Sequence, residues 1–290
     1  MQKSLRAFTL IEFSMVILII GFLLTGTIVA NSLIQKSKLA SARAQTLSSV
    51  VVSTKGLVAW WEATSEKSFK DTETEDGAKI SLWYDINPLS TKKFSAAQNT
   101  SGNQPIYKSS AINNLPALKF NGTTSYLEAA YDFNLNPSAI TVFAVVKTSA
   151  TTTYGTIISS RNDPPHCGYM LYSAPNSPID YEAWFGDGAS NWGNGSTPHS
   201  AIVLEKPTII SLTNSGSTMS IYNNGTSVGS AGLTMAQNSV MPLRIGAGKN
   251  ETTADYFYNG YIGELIVFKR VLSDEERKMI EDYLSKKWGM

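Results

Sequence analysis

Four hydrophobic patterns follow one another along this chain of 290 residues. The first has no period: Phe8 to Ala30 is almost continuously apolar, with Glu12 near its start. About 23 residues of helix reach about 35 Å, enough to cross a bilayer, and exceed a secretory hydrophobic region of about 7–15 residues. A carboxylate in hydrocarbon costs roughly 2.5–3.5 kcal/mol, so Glu12 needs a compensating partner. From Asn31 to Thr54 the chain has neither proline nor glycine. There Leu33, Ala40 and Leu47 recur every seven residues, interleaved with Ser37, Ala44 and Val51. This spacing predicts an amphipathic continuation of the helix, packed through small residues.

Beyond Gly56 the pattern shortens to β-branched and aromatic runs separated by Asn, Gly, Ser, Thr and Pro. Strands are predicted at 57–61, 117–120, 140–147, 155–160, 169–172, 181–185, 208–214, 218–223, 243–246 and 260–268. Asn223-Asn224-Gly225-Thr226 reads as a type I′ hairpin turn, because Asn-Gly adopts positive φ at low cost. So many short strands imply a sandwich or barrel. The last pattern is helical. Ser273-Asp274-Glu275-Glu276 is a capping box, Lys286 and Lys287 complement the negative end, and Gly289 follows. Met279, Ile280, Tyr283, Leu284 and Trp288 form the face predicted to dock on the strands.

Composition narrows the partners. A net charge of +1 with 16% charged residues gives no case for nucleic acid. The single cysteine, Cys167, excludes an intramolecular disulfide, and roughly 235 residues of head suffice for a core without one. His166 and His199 are the only histidines, and neither has metal-ligand spacing.

The basic leader with Lys3 and Arg6, then Ala7-Phe8-Thr9-Leu10-Ile11-Glu12, resembles the class III signal of type IV pilins and pseudopilins. Ala7 stands where that family usually has glycine. The resemblance implies cleavage between Ala7 and Phe8 by a prepilin peptidase that also N-methylates Phe8. It implies that Glu12 neutralises the Phe8 amino group of a neighbouring subunit, so that two buried charges cancel. The expected domains are a leader at 1–7, a pilin helix at 8–54 (transmembrane 8–30, amphipathic 31–54) and a head at 56–290.

The head has its own resemblance. Gly56-Leu57-Val58-Ala59-Trp60-Trp61, Pro116-Ala117-Leu118-Lys119-Phe120-Asn121-Gly122, Thr141-Val142-Phe143-Ala144-Val145-Val146 and Asn259-Gly260-Tyr261-Ile262-Gly263-Glu264-Leu265 succeed one another. Leu272-Ser273-Asp274-Glu275-Glu276-Arg277 closes the series. In sum they resemble the laminin-G-like branch of the concanavalin-A-like lectin/glucanase superfamily, which implies a two-sheet jelly-roll, carbohydrate or protein ligands and sometimes calcium. The expected fold class is therefore α+β: a long N-terminal transmembrane and filament helix, then an antiparallel β-sandwich jelly-roll with a C-terminal helix.

Glucanases of this fold align three carboxylates at i, i+2 and i+4 on one strand. Asp71, Glu73 and Glu75 match the spacing but lie in a polar stretch that reads as a solvated loop. Asp180-Tyr181-Glu182 has the wrong spacing, so the chain is expected not to be an enzyme. Trp192, in a Gly/Asn-rich loop, is the expected sugar platform, with Asp187 and Asn191 for the hydroxyls and Trp184 in the core. The alternative is that Trp192 covers a sheet edge. Asp163, Asp187 and Asn162 are the calcium candidates. The expected protein is a minor, low-copy pilin-like subunit displaying a lectin-like head for adhesion to glycan or protein, held in the inner membrane before assembly and outside the cytoplasm after it. The alternatives are a structural pseudopilin and a membrane-tethered glycoside hydrolase.

Overall fold

The computed structural model describes residues 10–189, 193, 199–248 and 253–290. Helix α1 (Leu10–Leu47) opens the chain and a 3₁₀ turn (Val50–Ser53) leads into the head. Strands β1 (Leu57–Glu62), β2 (Leu82–Trp83), β3 (Ala96–Ala97), β4 (Ile106–Ile112), β5 (Leu115–Asn121) and β6 (Leu127–Ala129) follow. Next come β7 (Ile140–Thr148), β8 (Gly155–Asn162), β9 (Cys167–Ala174), β10 (Asp180–Phe185) and β11 (Ser200–Ala201). The chain ends with β12 (Thr208–Asn214), β13 (Thr218–Asn223), β14 (Thr226–Gly232), β15 (Leu243–Ile245), β16 (Asn259–Phe268) and helix α2 (Asp274–Trp288).

The strands form two antiparallel sheets of a jelly-roll sandwich. One runs β14-β13-β12-β7-β16-β5-β4, with β1 also paired to β16; the other runs β11-β10-β9-β8-β15-β6-β3-β2. Alternation along β7 explains the arrangement. Ile140, Val142, Ala144 and Val146 face the other sheet, while Phe143 and Val145 face outward into a second apolar layer. That layer is completed by Ile280, Tyr283, Leu284 and Trp288 of α2 and by Ala42 of α1, so both helices cover this sheet. Strands buried on both faces read as unbroken hydrophobic runs rather than alternating ones.

Helix α2 is anchored by buried charge. Lys287 Nζ donates to Glu62 Oε2 at 2.9 Å and Glu264 Oε2 at 2.8 Å, with all three side chains fully buried. Trp60 Nε1 and Trp288 Nε1 also donate to Glu264, each at 2.8 Å. Burial alone would lower the Lys287 pKa, but Glu264 and Glu62 outweigh it and raise it. A register shift between Ile262 and Glu264 turns Glu264 toward the helix. Gly263 at this bulge is needed for close approach, since a Cβ there would lie 2.5 Å from the Trp288 ring.

The predicted strands, the Asn224-Gly225 turn and the α2 capping box are all present; Asn224 and Gly225 have φ of 48° and 79°. Met279, expected on the docked face of α2, is exposed.

The N-terminal expectation is corrected. Among the described residues no helix is long and apolar enough to cross a membrane, so the transmembrane and filament-helix part of the expected fold is not supported. Helix α1 carries Glu12 in its first turn, becomes polar from Asn31, and stops at Leu47 rather than Thr54. Within α1 the heptad stripe is also on the exposed side, Leu33 and Leu47 being 61% and 81% exposed, whereas its last member, Val51, is buried in the 3₁₀ turn beyond the helix. The docked face instead carries Gln35, Leu39, Ala42, Arg43 and Thr46. It is held by polar contacts, Gln35 Nε2 donating to Ser109 O and Arg43 Nε to Thr64 O, both at 2.8 Å.

Candidate functional site

The outer face of the second sheet differs from that of the first. Instead of a helix-covered apolar layer it carries a small cluster of Met170, Tyr172 and Ala174 from β9. Tyr154, Trp184 and Tyr256 pack against them, half-buried. The register sets this up: Glu182 is paired with Tyr172 and Trp184 with Met170 across β10 and β9. Tyr181, Ala183 and Phe185 of β10 therefore fill the sandwich core while Asp180, Glu182 and Trp184 face outward. Trp184 is thus not the core residue expected from sequence. Its ring lies 4.7 Å from Tyr172 and 5.4 Å from Tyr154, centroid to centroid. Tyr256 stands 5.7 Å beyond Tyr154, so aromatic rings line this part of the face.

Beside the rings lies a polar cluster that sequence reasoning missed. Asp180 on β10 pairs with Ala201 on β11, and His199 immediately precedes β11. His199 Nδ1 is 2.7 Å from Asp180 Oδ2 and 3.0 Å from Glu182 Oε1. The two carboxylate side chains are 5% and 7% exposed, the imidazole 55%. Asn176 Nδ2 donates to Asp180 Oδ1 at 3.0 Å and also to Glu182 Oε1, while Tyr172 OH donates to Glu182 Oε2. Burial raises the Asp180 pKa, and the Glu182 charge adds to the rise, against the bonds from His199 and Asn176. Burial and Glu182 likewise push the Tyr172 phenol up. The cluster opens on a cleft of about 390 Å³ lined by Asn176, Ser177, Pro178, Asp180, His199 and Ala201. The i, i+2 spacing of Asp180 and Glu182 on a strand was the one available signal. Bringing His199 to them requires the β10–β11 pairing, which the sequence does not disclose.

The sequence-predicted residues are distributed differently. Ala7, Phe8, Asn191 and Trp192 lie outside the described residues. Asp187 accepts from Ala189 N at 2.8 Å within a turn. Asp163 pairs with Arg161 at 2.9 Å and with His166 at 3.6 Å, and Asn162 pairs with Cys167 in the β8–β9 ladder. Among the described residues, the group with metal-ligand proximity is Asp180, Glu182 and His199, not Asp163 or Asp187. Asp71 and Glu73 lie in a 3₁₀ turn, not a strand, and Glu73 accepts from Ser81 N at 3.2 Å. Glu12 sits in the first turn of α1, where the helix dipole favours a carboxylate.

A laminin G family model, described as concanavalin A-like lectin/glucanases superfamily, matches residues 121–276. No curated protein matches the chain. In fold it is similar to the Trypanosoma rangeli sialidase in complex with 2,3-difluoro-KDN, at 16% identity and a TM-score of 0.52, over 80% of this chain and 33% of that one. It is similar to domain 4 of AbnA, a GH43 extracellular arabinanase from Geobacillus stearothermophilus, in complex with arabinotriose (17% identity, TM-score 0.50, 78% of this chain and 97% of that one). A third likeness is to the botulinum neurotoxin serotype G binding domain (17%, TM-score 0.53, 79% and 51%). The chain spans about a third of the length of the sialidases it matches. At these identities the likeness shows the fold alone. It nonetheless corrects the expectation that the chain is not an enzyme: the fold recurs within glycoside hydrolases, so fold and motif spacing give no ground for excluding hydrolysis.

Proposed function

Because the chain belongs to the concanavalin A-like lectin/glucanases superfamily, we propose that it binds carbohydrate on the outer face of its second sheet, around Trp184 and the Asp180–Glu182–His199 cleft. The observation that carries this reading is the juxtaposition of half-buried aromatic rings with hydrogen-bonding carboxylate, amide and imidazole groups on one sheet face. A sugar ring needs both: an apolar plane for its C–H face and fixed polar atoms for its hydroxyls. The arabinanase domain of the same fold, seen with arabinotriose, is compatible with an oligosaccharide ligand.

The test is a glycan array probed with the purified chain and with Trp184→Ala. Saturable binding to a defined sugar, weakened tenfold or more by Trp184→Ala at unchanged melting temperature, supports the face. Absence of binding to every glycan overturns it. Release of reducing ends from a bound glycan would add hydrolysis to recognition.

The leader supports a second part of the proposal, display outside the cytoplasm on a pilin-type subunit. Its basis is the sequence Ala7-Phe8-Thr9-Leu10-Ile11-Glu12, with prepilin peptidase and other pilin-type subunits as the partners. Mass spectrometry of the protein from its native cell should find a mature chain beginning at N-methylated Phe8. An intact Met1 start would refute it. Glu12→Ala should leave that processing intact and impair incorporation with partner subunits.

A further inference from the structure

We propose that Asp180, Glu182 and His199 bind one first-row divalent transition-metal ion, zinc or manganese in type, at the floor of the β10–β11 cleft. The three ligand atoms lie within 4.8 Å of one another, as donors around a single ion do. The group draws on residues separated in sequence and fixed by backbone pairing, with Asp180 and Glu182 on one face of a strand and His199 beside its neighbour.

Charge supplies an independent reason. Elsewhere among the described residues, buried carboxylates other than Asp85 have a basic partner. Glu62 and Glu264 share Lys287, Glu281 pairs with Arg277 at 2.6 Å, and Glu73 lies 3.5 Å from Lys70. Asp85 accepts three backbone N–H groups, with Lys93 nearby. Asp180 and Glu182 are also buried, and among the described residues the basic group against them is the half-exposed His199. Two acidic side chains thus share one half-exposed imidazole in a largely buried setting, an arrangement that a divalent cation would compensate.

The surrounding donors match a metal site as well. Tyr172 OH holds Glu182 Oε2, and Asn176 Nδ2 reaches both Asp180 Oδ1 and Glu182 Oε1, so both carboxylates are braced while Asp180 Oδ2 and Glu182 Oε1 face His199. Bracing of this kind orients ligating carboxylates in metal proteins. An imidazole nitrogen with two carboxylates suits zinc or manganese better than calcium, whose ligands are oxygens. On binding, the ion replaces the direct contact between His199 and the two carboxylates, and water from the cleft completes its shell.

The site shares its location with the carbohydrate reading, yet it is measured with no sugar present. Chelator-stripped full chain is titrated calorimetrically with ZnCl₂, MnCl₂ and CaCl₂. Saturable one-to-one binding of zinc or manganese is expected, weakened tenfold or more in His199→Gln and in Glu182→Gln and unchanged in Asp163→Asn. Absence of saturable binding of both ions below millimolar concentration overturns the site, as does His199→Gln binding as tightly as the parent chain. If Glu182→Gln fails to fold, the half-exposed His199→Gln decides the question alone. Cation uptake without any glycan ligand refutes the carbohydrate reading only. Glycan binding by a chain that takes up no zinc or manganese refutes the metal site only.

Discussion

Lys287 shows how far a residue's role depends on where it is buried. By position it is one of two lysines complementing the negative end of α2, and Lys286 beside it fits that description. In the folded chain Lys287 is wholly enclosed and joins Glu62 of β1 and Glu264 of β16. Removing one member of such a group leaves uncompensated charge in the interior. Lys287→Met should therefore cost about 3–5 kcal/mol in urea unfolding. Adding Glu264→Gln should restore part of that loss, so the pair should be strongly non-additive in a double-mutant cycle. Additive losses would mean that the charges do not act as a unit. The same dependence explains Trp184. Its aromaticity was legible, but only the alternation of β10, with Tyr181 and Phe185 inside, places it on the outer face.

At the scale of elements, local chemistry was readable wherever it is self-contained. The α2 capping box needs only residues three apart: Ser273 Oγ accepts from Glu276 N at 3.2 Å, and Glu276 Oε2 accepts from Ser273 N at 2.9 Å. Arg270 adds a two-point contact, Nη2 to Glu276 Oε1 at 2.6 Å and Nη1 to Oε2 at 2.8 Å. Arg270 first, then the Ser273 amide, hold the Glu276 pKa down to about 2. A depressed carboxylate contributes stability fully above its unfolded pKa of 4.5 and loses it as pH falls through about 2. Glu276→Gln should thus lower stability by about 1 kcal/mol at pH 7, the loss being moderated by solvent, and the gap to the parent should close between pH 4.5 and 2. A gap independent of pH would assign the effect to packing. Helix α1 was harder to read because its docking is not self-contained. A heptad search finds Leu33, Ala40 and Leu47, whereas the head receives Gln35 and Arg43 through the carbonyls of Ser109 and Thr64. Those acceptors belong to distant parts of the chain, and no helical period reports them.

Across the whole molecule the two outer faces of the sandwich have separate duties. One is covered by α1 and α2 and owes its order to buried apolar and ionic contacts; the other presents the rings and the Asp180–Glu182–His199 cleft. The succession of strand motifs revealed the superfamily because each motif serves the shared core. The cleft stayed hidden because β9, β10 and β11 assemble it by register. This division makes a prediction that joins stability to function. Residues 31–47 contribute buried Ala42 and Thr46, which lie on the side of α1 that meets α2, where Tyr283 donates to Glu264 at 2.9 Å. A chain starting at Ser49 loses that burial and the Gln35 and Arg43 hydrogen bonds, so it should unfold at lower urea, by about 2–4 kcal/mol relative to a chain starting at Asn31. Its affinity for zinc or manganese, and for any glycan the full chain binds, should be unchanged, because the contacts removed lie on the opposite sheet. Equal stability of the two chains would show that α1 merely rests on the head, while a parallel loss of ligand affinity would show that the faces are coupled through the core.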